Sequence, residues 1–191
     1  MFIKKEKNKP SNQTTKPEVY AFIDSQNLNL GTQRMGWKLD WRKFRNYLFD
    51  TYNVTKAYTF IGYMIENEQL YEYMHELGYL VVLKPTVDIS HPTDPNKDSN
   101  NLDKEKSQVK GNVDAELVLY ALKEMPNYDK AIIVSGDGDF FSLIEYLDNL
   151  HKLKKVIAPN WQYSSLLKPY EDKVIRLDKM RKRLEYKSKK K

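Results

Sequence analysis

Short apolar runs alternate with amphipathic stretches along this chain, and that alternation constrains the fold more than any other feature of the sequence. Val19-Tyr-Ala-Phe-Ile23 is apolar throughout and reads as a strand buried on both faces. Asp40 stands where it can cap a helix whose apolar positions are Trp41, Phe44 and Leu48. Residues 54–63, rich in β-branched and aromatic side chains, read as a second strand. Leu70, Tyr73, Met74 and Leu77 keep the i, i+3, i+4, i+7 spacing of an amphipathic helix, and Gly78 ends it. Tyr79-Leu-Val-Val-Leu83 is a third buried strand. The spacing then predicts a helix over 113–125 with Val113, Leu117, Tyr120 and Ala121 on one stripe, and Ala131-Ile-Ile-Val134 as a fourth strand. A further helix carries Phe140, Leu143, Ile144 and Leu147 on one face. It is followed by a fifth strand, Lys155-Val-Ile-Ala158, and a short sixth at Val174-Ile175. Strands alternating with helices predict an α/β fold, a three-layer α/β/α sandwich around a mostly parallel central sheet.

The chain has 191 residues, enough for one domain with its own core. Residues 1–17 are rich in Lys, Asn, Thr and Pro and read as a disordered basic tail. The periodic pattern disappears between residues 84 and 111, which include Pro85, Pro92 and Pro95 and read as a long polar loop inside a domain spanning 18–178. Residues 179–191 read as a second basic tail. The formal net charge of +6 hides this division: residues 1–18 carry +3 and 179–191 carry +7, so the body between them is −4. Basic arms of this kind attract phosphate backbones by counterion release, which makes Lys179, Arg181, Lys182 and Arg183 candidate nucleic-acid contacts. The absence of cysteine excludes disulfides, thiolate metal sites and cysteine nucleophiles. The longest apolar run is six residues, against the ~20 that a membrane-spanning helix needs. With no stretch resembling a secretory signal, the expected location is the cytoplasm.

The residues that follow the strands carry the chemistry. In a parallel sheet the ligand site lies outside the carboxyl ends of the strands. The first strand runs directly into Asp24 and Asn27, and the fourth into Ser135-Gly-Asp-Gly-Asp139. The helix leading into the fourth strand opens with Lys110-Gly-Asn-Val-Asp114, on the same edge. Asp24, Asp114, Asp137 and Asp139 are therefore expected to meet in one region. Gathered carboxylates resist ionisation, and a cation would neutralise them. Oxygen donors select a hard ion, Mg²⁺ or Mn²⁺, and such a site suits phosphodiester hydrolysis with one metal or two. Asn27 and Ser135 would support the carboxylates, Lys110 would contact a phosphate or a carboxylate, and Gly136 and Gly138 would let the backbone turn sharply and approach a ligand. Each residue also has a plain structural role: Asp24, Asp137 and Asp139 as caps, Asp114 as a helix-dipole partner. No Walker A or GxGxxG motif is present, and no Ser-His-Asp arrangement is supported. Tyr and Trp residues in 33–41 and in Trp161-Gln-Tyr163 can stack on bases or simply pack.

Three blocks, Phe22-Ile-Asp-Ser-Gln-Asn27, Lys110-Gly-Asn-Val-Asp114-Ala-Glu-Leu117 and Val134-Ser-Gly-Asp-Gly-Asp-Phe140, resemble the signature blocks of the NYN domain family, and within it the LabA-like bacterial branch of the PIN-like superfamily. The first block departs from the usual pattern, with Ser25 where glycine is common. The resemblance implies a PIN-like sandwich and a Mg²⁺- or Mn²⁺-dependent ribonuclease. Its ligand carboxylates would be Asp24, Asp114, Asp137 and Asp139, supported by Asn27 and Ser135.

Three function classes follow from these features. The first is a metal-dependent nuclease acting on RNA, single-stranded above all. The second is a non-catalytic RNA-binding or regulatory module of the same fold, and the third a metal-dependent phosphatase or nucleotide hydrolase. A membrane partner is not expected, and the oligomeric state is left open, a homo-oligomer included.

Overall fold

The computed structural model describes residues 17–63, 67–84 and 113–187. Six strands form one sheet: β1 (Val19–Asp24), β2 (Val54–Gly62), β3 (Tyr79–Lys84), β4 (Lys130–Val134), β5 (Leu153–Ala158) and β6 (Val174–Arg176). Their order is β3-β2-β1-β4-β5-β6, and every pairing is parallel. The helices are α1 (Ser25–Arg34), α2 (Trp41–Tyr52), α3 (Glu68–Glu76), α4 (Asp114–Lys123), α5 (Phe141–Asn149) and the single turn α6 (Arg181–Leu184).

Alternation along β1 builds both cores. Val19, Ala21 and Ile23 face one side, where they meet Leu28 of α1, Phe44 and Leu48 of α2, Met74 of α3 and Leu184 of α6. Tyr20 and Phe22 face the other side and meet Leu117 of α4 and Leu143, Ile144 and Leu147 of α5. A strand covered on both faces has no polar side, which explains its unbroken apolar sequence. The layers are thus α/β/α, as the strand–helix alternation predicts.

The elements expected from periodicity are present with small shifts at their ends. Asp40 caps α2 by accepting the Lys43 N–H at 3.1 Å, and Asn53 closes it in the left-handed conformation at φ 57°. In α3 the buried residues are Tyr71 and Met74, whereas Leu70 and Tyr73 of the expected stripe are exposed. The helix therefore sits rotated from its apolar pattern. β3, expected to be fully buried, is an edge strand with Leu80 and Leu83 exposed.

One helix, α1, was not legible from periodicity. Its sequence, Ser-Gln-Asn-Leu-Asn-Leu-Gly-Thr-Gln-Arg, is rich in poor helix formers, and it buries only Ser25, Leu28, Gly31 and Thr32. Residues 179–187 are also not a tail. Leu184 is completely buried, the Asp40 N–H donates to its carbonyl, and Arg181 donates to the carbonyls of Met35 and Gly36. Of the expected N-terminal tail and polar loop, only Pro17 and Lys84 fall within the described residues.

Candidate active site

The strand order places the site. The chain leaves β1 for β2 on one side of the sheet, and β4 lies on the other side of β1, so the order reverses between β1 and β4. Crossover connections diverge at such a point and leave a crevice at the carboxyl edge. Asp24 ends β1 and Ser135 follows β4 in that gap, one step beyond the paired Ile23 and Val134.

Asp24 is 4% exposed and caps α1, its Oδ1 accepting the Asn27 N–H at 3.0 Å. Its Oδ2 accepts the Ser135 hydroxyl at 3.1 Å. The Ser135 oxygen in turn accepts the Asp137 N–H at 3.1 Å, and Asp137 Oδ1 accepts the Asp139 N–H at 3.1 Å, capping the 3₁₀ turn Gly138–Phe140. Asn27 Oδ1 accepts the Gly136 N–H at 2.9 Å. Asp24 and Asn27 from one side of the crevice thereby grip Ser135 and Gly136 from the other. Ser25 is buried, and its hydroxyl donates to the Phe60 carbonyl at 2.7 Å, tying the start of α1 to the end of β2. A glycine at this position would lack that bond.

Burial pushes the Asp24 carboxyl up from 3.8 to about 6. The Asn27 and Ser135 hydrogen bonds pull it down, and the negative charges of Asp114 and Asp137 push it further up. These three carboxylates therefore share one electrostatic environment, although they come from β1, the first turn of α4 and the loop after β4. Asp139 is exposed and contributes its backbone N–H to the cluster. Among the described residues, no set of three or more Asp, Glu and His side chains is placed to hold a metal ion. Of the four expected carboxylates, Asp24 interacts electrostatically with Asp114 and Asp137, and Asp139 joins the group through its backbone N–H. Asp24 also commits one oxygen to the Asn27 N–H and the other to Ser135.

The donor chemistry nevertheless fits a hard divalent ion. Every candidate ligand is a carboxylate oxygen, the most buried one carries a charge that burial makes costly, and Mg²⁺ typically keeps several waters while taking one or two carboxylates. Lys110 lies outside the described residues. Lys179, Arg181, Lys182 and Arg183 are exposed, but Arg181 is committed to carbonyls and to Glu185, and Arg183 lies over the Tyr47 ring at 5.1 Å.

The glycines of the loop after β4 do not serve a left-handed turn, since neither has a positive φ. They serve close packing. A Cβ on Gly138 would come within 2.4 Å of Ser164 Oγ, and one on Gly136 within 3.2 Å of Tyr163 Cβ. Asn160 is a further buried polar residue of this edge, outside the three sequence blocks. It follows β5 at the same edge, is 4% exposed, donates to the Gly31 carbonyl at 2.8 Å and accepts the Gln162 N–H at 2.7 Å. Its signal was the one that marks Asp24: a polar residue just past a buried strand.

A doubly wound parallel sheet with acidic side chains at its switch point defines a class of α/β proteins that act at the carboxyl edge of the sheet. The NYN domain model matches residues 18–178, and the chain belongs to the NYN domain family. It is 26% identical to the low amplitude and bright protein LabA of Synechococcus elongatus over 164 residues, covering 84% of this chain and 83% of that protein. A crystal structure of a protein of unknown function from Vibrio parahaemolyticus shares the fold, with a TM-score of 0.67 and 22% identity over 90% of this chain and 97% of that one.

Proposed function

We propose that this protein is a ribonuclease that hydrolyses RNA phosphodiester bonds with the help of Mg²⁺ or Mn²⁺ held at Asp24, Asp114 and Asp137. NYN domains are generally nucleases, and the observation that carries the reading is the buried Asp24 carboxylate, pushed up to about 6 beside Asp114 and Asp137 at the switch point of the sheet. A bound ion would supply a water acidified toward neutrality and would polarise a phosphoryl oxygen. The residues of the chain do the rest. Ser135 and the Asn27 N–H hold the Asp24 carboxylate in one orientation. Asp114 and Asp137 add the negative charge that draws a cation to the crevice. Asp139, exposed at the mouth, is the carboxylate free to take a proton from an attacking water.

The test is incubation of the pure protein with single-stranded RNA and Mn²⁺. Expected are cleavage that EDTA abolishes, a loss of at least about 100-fold in Asp137→Asn, and a smaller loss in Asp139→Asn. Cleavage that survives both EDTA and Asp137→Asn would overturn the reading. A second reading, a regulatory RNA-binding module without catalysis, is favoured by the lack of a three-carboxylate metal set among the described residues. It predicts salt-sensitive RNA binding and no cleavage with either ion.

A further inference from the structure

Beside the carboxylates, on the β5 side of the same crevice, lies a cleft of about 90 Å³ lined by Asn27, Gly31, Arg34, Gly136, Asn160 and Gln162, together with Leu30 and Pro159. Its chemistry is the opposite of its neighbour's. None of these described lining residues is acidic, although the body of the protein is.

Several hydrogen bonds fix which polar atoms face the cleft. The Gly136 N–H can only donate, so the amide oxygen of Asn27 must turn toward it, and the Asn27 Nδ2 is left as a donor with no partner among the described residues. Asn160 is saturated, with Nδ2 on the Gly31 carbonyl and Oδ1 on the Gln162 N–H, and so holds the wall in place. Gly31 permits the wall to close, because a Cβ there would lie 2.3 Å from Pro159 Cγ. Arg34, in the last turn of α1, is exposed and makes no ion pair or hydrogen bond among the described residues. The Arg34 guanidinium and the Asn27 amide thus bring N–H donors to one small concavity. Trp161 stands in the chain between the lining residues Asn160 and Gln162 and is 57% exposed, the most exposed large hydrophobic side chain in the described chain.

We propose that this cleft is a nucleotide subsite of the nuclease: Arg34 and Asn27 hold the backbone phosphate next to the scissile one, and Trp161 stacks on the adjoining base. This rests on the reading of the carboxylate site as a nuclease centre and names how its substrate is held. The cleft has room for a phosphate group, and the base is placed against the exposed indole of Trp161 beside it. Guanidinium forks bind phosphate oxygens in pairs, and base–aromatic stacking tolerates any sequence, so the subsite would grip single-stranded RNA without reading it. It also answers an electrostatic problem. A polyanion approaching three carboxylates is repelled unless donors stand beside them, and the cleft supplies those donors within the same crevice.

The test is binding of a fluorescein-labelled 12-nucleotide oligouridylate, read by anisotropy in EDTA across a salt series, where no cleavage interferes. Arg34→Gln is expected to weaken binding by about 5- to 10-fold and to reduce the slope of log K against log salt by about 0.7, the value for one phosphate contact on a single strand. Trp161→Ala is expected to weaken binding by about 10-fold with the slope unchanged, since stacking releases no counterions. A merely structural role for Arg34 would not move the slope. An unchanged slope and affinity in Arg34→Gln, or no binding by the wild-type protein at low salt, overturns the subsite. Wild-type protein that binds in this Arg34-dependent way yet cleaves nothing with Mn²⁺ leaves the subsite standing and removes the nuclease reading alone.

Discussion

The Ser135 hydroxyl donates to Asp24 Oδ2 across 3.1 Å, joining the ends of two strands that lie 111 residues apart in sequence. The same oxygen accepts the Asp137 N–H, so one hydroxyl orients the Asp24 carboxylate and holds the backbone from which Asp137 projects. Ser135→Ala removes both bonds inside a buried site and leaves a carboxylate oxygen and an amide without this partner. The expected cost is about 1–3 kcal/mol in the urea unfolding free energy. Loss of the hydroxyl also removes a bond that favours the charged form of Asp24, so its carboxyl rises above about 6. Mn²⁺ binding, followed by titration calorimetry at several pH values, should therefore need a higher pH for half-maximal affinity. An unchanged pH midpoint in Ser135→Ala would show that the hydroxyl does not set the ionisation of Asp24.

Asp24 should work against the stability of the ion-free protein at neutral pH. Its carboxyl is higher in the folded chain, about 6, than the ordinary 3.8. Below about pH 3 it is protonated in both folded and unfolded chains and costs nothing. As pH rises toward 6 the unfolded chain ionises first and the folded chain resists, so stability falls, with the full cost of about 3 kcal/mol reached above pH 6. Asp24→Asn keeps an acceptor for the Asn27 N–H and offers an N–H to Ser135. It should melt higher than the wild type near pH 8 in EDTA, with a gain that shrinks to nothing near pH 3. Excess Mn²⁺ should narrow the difference by stabilising the wild type alone. A variant that is less stable than the wild type at pH 8 and equally so at pH 4 would contradict the burial argument.

What could be read in the sequence follows from what the signal consists of. β1 was legible because a strand covered on both faces leaves no polar position between Val19 and Ile23. Asp24 and Asp137 were legible because each follows such a run. α1 was hidden because it rests on four buried side chains and on the Asp24 cap, and neither produces a periodic apolar pattern. The charge of the segment from Lys179 reads as that of a tail. Its one fully buried side chain, Leu184, stands alone among charged neighbours and gives no period to detect. The exposed face of β3 was invisible for a different reason, since an apolar run does not say whether its strand lies inside the sheet or at its edge.

Gly31 should tolerate no side chain. α1 crosses the loop after β5 so closely that a Cβ on Gly31 would sit 2.3 Å from Pro159 Cγ and 2.5 Å from Pro159 Cβ. The proline ring cannot rotate aside, so either the helix or the loop must shift, and Asn160 ties the two together through the Gly31 carbonyl. Gly31→Ala is expected to destabilise the protein by about 1–3 kcal/mol, despite alanine's higher helix propensity. Urea denaturation followed by circular dichroism measures it, and a stabilised Gly31→Ala would show that α1 is free to move from the loop.

The C-terminal segment separates charge from structure. Cutting the chain after Asp178 removes Leu184, which is fully buried against the α2 side of the sheet. It also removes the Leu184 carbonyl that accepts the Asp40 N–H at 2.9 Å, the Glu185 carbonyl that accepts Lys43 Nζ at 2.7 Å, and the Arg181 bond to Gly36 at 3.1 Å. Losing the leucine alone should cost about 1.5–3 kcal/mol. Weakened RNA binding in that truncation would therefore report a damaged fold as much as missing charge. Cutting after Lys187 instead removes Lys189, Lys190 and Lys191 and keeps every one of those contacts. That shorter truncation is expected to melt within about a degree of the full chain while the salt slope of RNA binding falls by about 0.7 for each lysine that touches a phosphate. A melting point lowered as far by the second cut as by the first would place the anchor beyond Lys187 and not at Leu184.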